Sequence, residues 1–242
     1  MRKYFLNNLP FLGLFVFVTF NVVAMLYYPG GSIFDRDKIG YDFTRNFLSQ
    51  LGRINAYLPD ANGNQTNNYT SFVVWSTGMS LTGIIFFIYY LCLPSIFNKT
   101  ILSYIGSTFA VIASICFVLT GITPGDLTVH LIDQNNNISI LSMLEIHAFF
   151  ANNIFYFAFP SSLIYSYIIY NSEKIDKIYG VGYYIFSFLI FSYVMLLILS
   201  PSPFGSEYII TIHVISQKMI AISWIFSTLF LSFGIRKLEF EW

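Results

Sequence analysis

The residues best suited to chemistry in this sequence stand beside long apolar runs. Asp126 and His130 come directly after one such run. Glu145 and His147 open a later run, and His213 stands just inside the last one. Imidazole and carboxylate groups are zinc ligands, and a catalytic zinc ion takes three protein ligands and leaves one position open for water. The three histidines are therefore candidate zinc ligands, with Asp126 or Glu145 as the general base of a hydrolase acting on a lipid-like ester or amide.

Two other interpretations of these histidines need no metal. The chain has no local His-x-x-x-His or His-Glu-x-x-His pair, so the ligands of a zinc ion would have to come from three separate hairpins. The same side chains could instead bind a polar ligand or a lipid headgroup directly. In the third interpretation each histidine only forms hydrogen bonds at the membrane interface, as amphipathic side chains often do.

Further polar side chains indicate a binding site within or beside the apolar runs. An ionisable residue inside a membrane is costly, so it suggests a functional site by default. Lys218 lies about 15 Å from the outer end of the last run at about 1.5 Å per residue, and it needs a carboxylate, a carbonyl or water as its partner. Lys218 and Arg45 are candidate partners for an anion. The candidate ligand-binding residues are Arg45, Ser49, Asn152, Gln217 and Lys218.

The composition indicates a membrane protein and excludes one class of partner. Hydrophobic residues make up 56% of the 242 residues and charged residues only 10%, whereas a soluble domain carries about 25% charged residues. Twelve basic and twelve acidic residues give a formal net charge of zero. This charge balance lacks the basic excess of a nucleic-acid-binding protein. Because the composition indicates a membrane protein, the expected partners are membrane lipids.

Six apolar runs are long enough to cross a bilayer as helices, since a crossing needs roughly 20 residues. Arg2 and Lys3 before the first run also permit a cleaved signal peptide, but the run continues through Tyr28 and we expect a retained anchor. The sequence therefore predicts one all-α domain over residues 1–242, an integral membrane bundle of six transmembrane helices. The approximate runs are residues 9–28, 71–93, 101–122, 145–170, 179–199 and 208–234.

The positions of Lys and Arg predict the orientation, because positive residues beside membrane helices are retained in the cytoplasm. Basic residues lie near both ends of the chain and after the second and fourth runs, whereas residues 123–144 and 200–207 contain none. We therefore expect both termini to be cytoplasmic, in a plasma or other cell membrane, and these two segments to lie outside. The long first loop, residues 29–70, also lies outside in this topology.

The first loop carries a pattern typical of a short helix. Phe43, Phe47 and Leu51 recur at i, i+4 and i+8, and Arg45 lies on the opposite side. This spacing gives one apolar stripe. It predicts an external amphipathic helix over residues 41–53 that lies on the membrane surface or covers the bundle.

Three short motifs occur in order along the chain. They are residues 46–52 (NFLSQLG), residues 121–126 (GITPGD) followed by His130, and residues 213–224 (HVISQKMIAISW). In these motifs the chain resembles the Domain of Unknown Function 998 family, multi-pass proteins related to the Frag/DRAM/Sfk group. The resemblance implies a six-helix bundle with a polar external cap, and it implies no particular activity.

These patterns predict one outward-facing polar site, formed by the first loop, residues 126–130 and the outer ends of the fourth and last helices. The function that we predict for this site is binding of a lipid headgroup or a small solute. The alternative is a metal-dependent hydrolase with zinc as its cofactor.

Overall fold

The computed structural model describes residues 2–132 and 138–238, and the side chains of residues 5–129 and 140–238. The described chain is mostly helical, as the sequence predicts. Within these residues there are six long helices: α1 (Arg2–Tyr27), α2 (Tyr69–Cys92), α3 (Ile101–Ile122), α4 (Met143–Tyr170), α5 (Lys177–Leu199) and α6 (Glu207–Arg236).

Five of these helices, α1, α2, α3, α5 and α6, are long and apolar enough to cross a membrane. α4 is also confirmed as a helix and has 28 residues. Its sequence carries polar residues along its length, including Asn152, Asn153 and Ser161, and it is not among the helices that meet the requirement for apolarity. The described chain is therefore compatible with a multi-pass membrane protein, whereas a crossing by α4 does not follow from composition.

The six helices pack in chain order and close into a ring. Each helix packs against the next, and α6 returns to pack against α1. Three apolar clusters fill the bundle, and Trp224 of α6 packs against all of them. The centroid of a Trp224 ring lies 4.8 Å from that of Phe86, 5.3 Å from that of Phe17 and 6.0 Å from that of Phe117. Four helices, α1, α2, α3 and α6, therefore meet at this tryptophan.

The loops divide between the two ends of the bundle. At one end, called the cap end here, the first loop contacts Asp126 after α3 and Glu207 at the beginning of α6. At the other end, the Arg236 guanidinium donates a hydrogen bond to the carbonyl oxygen of Asn7, and Lys174 contacts the loop between α2 and α3. The basic residues after α4 and at the end of α6 therefore lie opposite the cap.

Two short hairpins at the cap end correct the prediction of an all-α fold. β1 (Asn55–Pro59) pairs antiparallel with β2 (Gln65–Asn67), and β3 (Thr128–Ile132) pairs antiparallel with β4 (Ile138–Ser142). The second pair is rich in Thr, Val and Ile, whose branched side chains favour strands. The strands have only three to five residues. A sequence pattern this short does not distinguish a strand from a loop.

The amphipathic helix predicted in the first loop is not confirmed, because a turn and a short 3₁₀ helix at Leu48–Gly52 stand there instead. The Asp42 carboxylate accepts hydrogen bonds from the N–H and the hydroxyl of Thr44, and the Asn46 side chain accepts one from the N–H of Asp42. Such local bonds compete with an α-helix. Asn46 and Leu51 are both fully buried, whereas Phe43 is 54% exposed, so the predicted apolar stripe does not form one buried face.

Gly52, the last residue of the 3₁₀ helix, packs directly on the indole of Trp75 in α2. A Cβ atom at position 52 would overlap two ring carbons of Trp75. Trp75 is 2% exposed and also lies against the ring of His147, so the indole has little room to move. The first loop can therefore approach α2 this closely only with glycine at this position.

We expect Gly52→Ala to destabilise the protein by about 1–3 kcal/mol, the usual cost of inserting a methyl group into a packed core. Thermal and denaturant unfolding in detergent, followed by circular dichroism, would measure the loss. Gly125→Ala is the matched control, because a Cβ atom there would meet its nearest neighbour at an ordinary 3.5 Å. Equal stability of the two variants would contradict the close packing of Gly52 on Trp75.

Candidate functional site

The buried lysine of α6 takes its partners from the first loop. Lys218 is 3% exposed, and its ammonium group donates a hydrogen bond to the carbonyl oxygen of Asn46 over 2.7 Å. It also lies 5.3 Å from the ring centroid of Tyr41 and 4.7 Å from that of Phe43. Aromatic faces attract a cation, so one carbonyl and two rings together stabilise this charge within the bundle.

The same loop segment is held by side-chain amides. The Gln217 side-chain oxygen, next to the lysine on α6, accepts a hydrogen bond from the N–H of Leu48 over 3.0 Å. The Asn46 amide nitrogen donates to the side-chain oxygen of Gln50 over 2.7 Å and to the carbonyl oxygen of Gly31 over 2.9 Å. Buried polar groups are tolerated when they are hydrogen-bonded in this way, and the network fixes the loop against α6.

Arg45, a predicted anion-binding residue, is paired with two acids of the protein. Its guanidinium donates to Glu207 over 2.7 Å and to Asp42 over 3.2 Å. Hydrogen bonds to Glu207 and Asp42 raise the pKa of Arg45. Burial alone would raise the pKa of the Asp42 carboxyl, but hydrogen bonds from Thr44 and Arg45 outweigh burial and lower that pKa. Arg45 therefore links the loop to α6, and acids within the protein compensate its charge.

Asp126, a predicted general base, holds the first loop with both carboxylate oxygens. Oδ1 accepts a hydrogen bond from the N–H of Ile54 over 2.9 Å, and Oδ2 accepts one from the N–H of Asn55 over 2.8 Å. The side-chain amide of Asn55 donates a longer bond of 3.3 Å to Oδ2. The Asp126 carboxylate therefore links the turn after α3 to the beginning of β1 by hydrogen bonds.

Two of the three predicted zinc ligands, His147 and His213, have described side chains, and their partners differ. His147 Nδ1 lies 2.6 Å from the carbonyl oxygen of Thr123 and donates to it, and His213 Nε2 lies 2.6 Å from the hydroxyl of Ser200. The backbone of His130 belongs to β3, and its side chain is outside the described part of the structure. Among the residues that are described, no three His, Cys, Asp or Glu side chains are grouped so that they could hold a metal ion.

The remaining predicted site residues do not gather around one point. Glu145 is exposed in the first turn of α4, and Asn152 is half-buried about two turns further along. Ser49 and Gln217, by contrast, both line a cavity inside the bundle. The zinc hydrolase stays an untested prediction, and no observation on the described residues favours it.

This cavity lies behind the first loop, at the centre of the ring of helices. Its volume, taken as the space open to the centre of a water molecule, is about 140 Å³. Leu48 and Ser49 of the loop line it together with Gln217, so the loop forms part of its wall at the cap end. All six helices contribute to the wall, and none of the described lining residues is charged. Each helix from α1 to α6 contributes at least one lining residue, for example, in helix order, Phe17, Trp75, Phe117, Phe155, Ile190 and Trp224.

Sequence reasoning missed this cavity, although small residues signal it. Ala113 on α3, Ala151 and Ala158 on α4, and Ala221 on α6 line the cavity, in helices otherwise rich in Phe, Ile and Leu. An alanine leaves space where a larger side chain would fill the core. Which alanines face one another depends on helix packing, so their positions along the chain do not reveal that they enclose one space.

Comparisons with protein-family models, curated proteins and solved structures found no match to this chain. The resemblance to the Domain of Unknown Function 998 family therefore stays a hypothesis based on three motifs. Two of these motifs are in contact, because residues 46–52 are hydrogen-bonded to Gln217 and Lys218 within residues 213–224. The contact explains how the motifs build the cap, and it assigns no activity.

We expect Lys218→Met to loosen the first loop, because the change removes a hydrogen bond from a charged donor, worth about 1.5–3 kcal/mol. Limited digestion with proteinase K in detergent would show faster cleavage within residues 29–68, while circular dichroism would show unchanged helix content. Lys237→Met, which removes an exposed charge at the other end of the bundle, is the control. Cleavage of the first loop at the wild-type rate in Lys218→Met would argue against this anchor.

Proposed function

We propose that this chain is an integral membrane protein with six transmembrane helices and cytoplasmic termini, and that it binds a small apolar or lipid-like molecule inside its bundle. The cavity behind the first loop is the observation that carries the proposal. Protein interiors are close-packed and contain few voids, and an apolar pocket with a few polar groups is the default binding site of a structure. The function that the geometry supports best is therefore binding.

The length and packing of α4 support a sixth crossing. Its 28 residues extend about 42 Å, compared with a hydrocarbon core of about 30 Å. It packs against α3 and α5, which are both apolar enough to cross. The side chains of Asn153, Ser162 and Ser166 donate hydrogen bonds to backbone carbonyls of α4 itself. These polar groups are therefore satisfied within the helix, which reduces their cost in lipid.

Cysteine labelling distinguishes six crossings from five. In a background without Cys92 and Cys116, the test variants are Asn62→Cys in the first loop, Ser202→Cys after α5 and Lys237→Cys after α6. With six crossings, we expect a membrane-impermeant maleimide to label the first two in intact cells and the third only after permeabilisation. Labelling of Lys237→Cys but not of Ser202→Cys in intact cells would indicate that α4 does not cross.

The polar residues of the cap support this function by holding the loop whose residues Leu48 and Ser49 line the cavity. Arg45, Asp126 and Lys218 all have partners within the protein, so a lipid headgroup bound by them would have to replace existing bonds. A molecule inside the cavity replaces none of them. We therefore place the ligand on the inner side of the cap, where Ser49 and Gln217 line the cavity.

Native mass spectrometry of protein released from detergent tests this function. We expect wild type to retain a bound small molecule and Ala221→Phe, which fills the cavity, to lose it. The neighbouring change Ile222→Phe is the matched control, because Ile222 is 42% exposed on the outside of α6, and it should retain the molecule. Ala113→Phe and Ile115→Phe repeat the comparison on α3. Absence of a bound molecule from wild type, or equal retention by all variants, would refute binding in the cavity.

A further inference from the structure

We propose that the outer face of α4 is an interface between two copies of this chain, which pair through the side-chain amides of Asn152 and Asn153. The inference rests on one part of the proposed function, the crossing of the membrane by α4, and it is independent of binding in the cavity. Three observations support it: the side of α4 that carries these amides, their hydrogen-bonding groups without a partner, and the ability of an amide to pair with an identical one.

The two amides lie on the side of α4 that faces away from the cavity. Ala151 lines the cavity, whereas Phe149 and Tyr156 are exposed and lie on the opposite side of the helix at 3.6 residues per turn. Asn152 and Asn153 flank the line that joins these two rings, and both are half-buried. In a single copy this outer face, formed by residues 149, 152, 153 and 156, would contact lipid.

The outer face lies at a depth without water when α4 crosses the membrane. Asn152 is nine residues after Met143, the first residue of α4, and therefore about 14 Å along the helix axis. The helix exceeds the hydrocarbon core by about 12 Å, the difference between about 42 Å and about 30 Å. Even if all of this excess lay at the cap end, Asn152 would be inside the core. Costly polar side chains at such a depth almost always face protein rather than lipid.

The helix α4 cannot satisfy these amides alone. The Asn153 nitrogen donates to the carbonyl oxygen of Phe149 over 2.7 Å, and no described residue forms a hydrogen bond with the Asn152 amide. A helix offers carbonyl acceptors to its side chains, but the N–H groups of its middle turns are already bonded. The two side-chain oxygens therefore lack a donor. By contrast, the exposed hydroxyls of Thr108 on α3 and Ser192 on α5 donate to carbonyls of their own helices.

A second copy of the chain supplies the missing donors. A side-chain amide is both a donor and an acceptor, so the outer face is complementary to itself. A two-fold axis along the membrane normal keeps both copies in the same orientation and places like faces together, and two-fold dimers are the commonest oligomers. In this pair the Asn152 N–H groups of each copy donate to an amide oxygen of the other. Such bonds between membrane helices contribute to their association.

The charge of α4 is also compatible with pairing. Glu145 is the one charged residue in the sequence of α4, and it lies in the first turn, about 10 Å from Asn152 along the axis. Water and ions at the membrane surface screen the two carboxylates of a pair at that level. The outer face itself is uncharged. It therefore fits an identical uncharged face better than a partner with a charged one.

Energy transfer between copies tests the interface. In a background without Cys92 and Cys116, Lys237→Cys carries a donor or an acceptor dye, and the purified protein is placed in phosphatidylcholine vesicles at a series of protein-to-lipid ratios. We expect saturable transfer that follows a monomer–dimer equilibrium. The double change Asn152→Leu and Asn153→Leu should weaken the dimer about tenfold or more, because the hydrogen bonds between the helices are lost.

The matched control removes two outward-facing polar groups from the neighbouring helices. Thr108 on α3 and Ser192 on α5 are exposed, and each is satisfied within its own helix. The double change Thr108→Leu and Ser192→Leu should therefore dimerise with the affinity of the parent protein. A loss of affinity equal to that of the asparagine variant would show a general effect of polarity and overturn the interface.

Disulfide cross-linking locates the interface and keeps the test decisive if the asparagine variant does not fold. In the same background, Tyr156→Cys should form a covalent dimer on mild oxidation in vesicles, because this position lies on the outer face. Phe226→Cys is the control, since Phe226 is exposed on α6, and it should stay monomeric. Cross-linking of Phe226→Cys but not of Tyr156→Cys would overturn the assignment to α4.

The remaining outcomes separate this inference from the proposed function. Monomeric protein at every protein-to-lipid ratio, or an unchanged dimer in the asparagine variant, would overturn the interface. A Tyr156→Cys adduct of another mass in native membranes, with monomeric purified protein, would also overturn it and indicate a different membrane protein as the partner. Failure of the sixth crossing would be seen separately, in the labelling of Ser202→Cys and Lys237→Cys.

Discussion

One buried cation sets the position of the first loop, and the rest of the cap follows from it. Lys218 lies within α6, where an ammonium group without partners would be strongly unfavourable. The Asn46 carbonyl and two aromatic rings supply those partners. They can do so only because the loop lies beside this turn of α6, where the N–H of Leu48 also bonds to the Gln217 side chain. At that depth the first loop becomes part of the bundle.

A loop at this depth must satisfy its own polar groups, and its sequence does so. Buried backbone groups need hydrogen-bond partners, and the side chains of Gln217 and Asp126 provide them for Leu48, Ile54 and Asn55. Asn46 and Gln50 bond to each other, so these buried polar side chains have partners. Gly52 then allows the chain to pass against Trp75. These contacts explain why a turn and a 3₁₀ helix replace a regular helix there.

This arrangement separates the charged residues of the cap from the apolar cavity. Arg45 of the loop is paired with Asp42 in the loop and with Glu207 of α6, on the outer side of the cap. Behind them is a cavity without charged residues in its described lining. Trp75 joins the two regions, because it supports Gly52 and also lines the cavity. The same side chain therefore forms part of the cavity wall and supports the loop.

The sequence by itself determined the membrane class and most of the helices, because the length of an apolar run is a local property. The observed ends of α2, α3, α4, α5 and α6 agree with the predicted runs within two residues, whereas α1 begins seven residues earlier at Arg2. Tertiary structure decided the partner of Lys218, which is 172 residues from Asn46, and the different partners of His147 and His213. It also decided the cavity, since alanines on different helices enclose a space only after the helices pack. Contacts between residues distant in the chain leave no periodic pattern along it, and for that reason the site appears only in the folded protein.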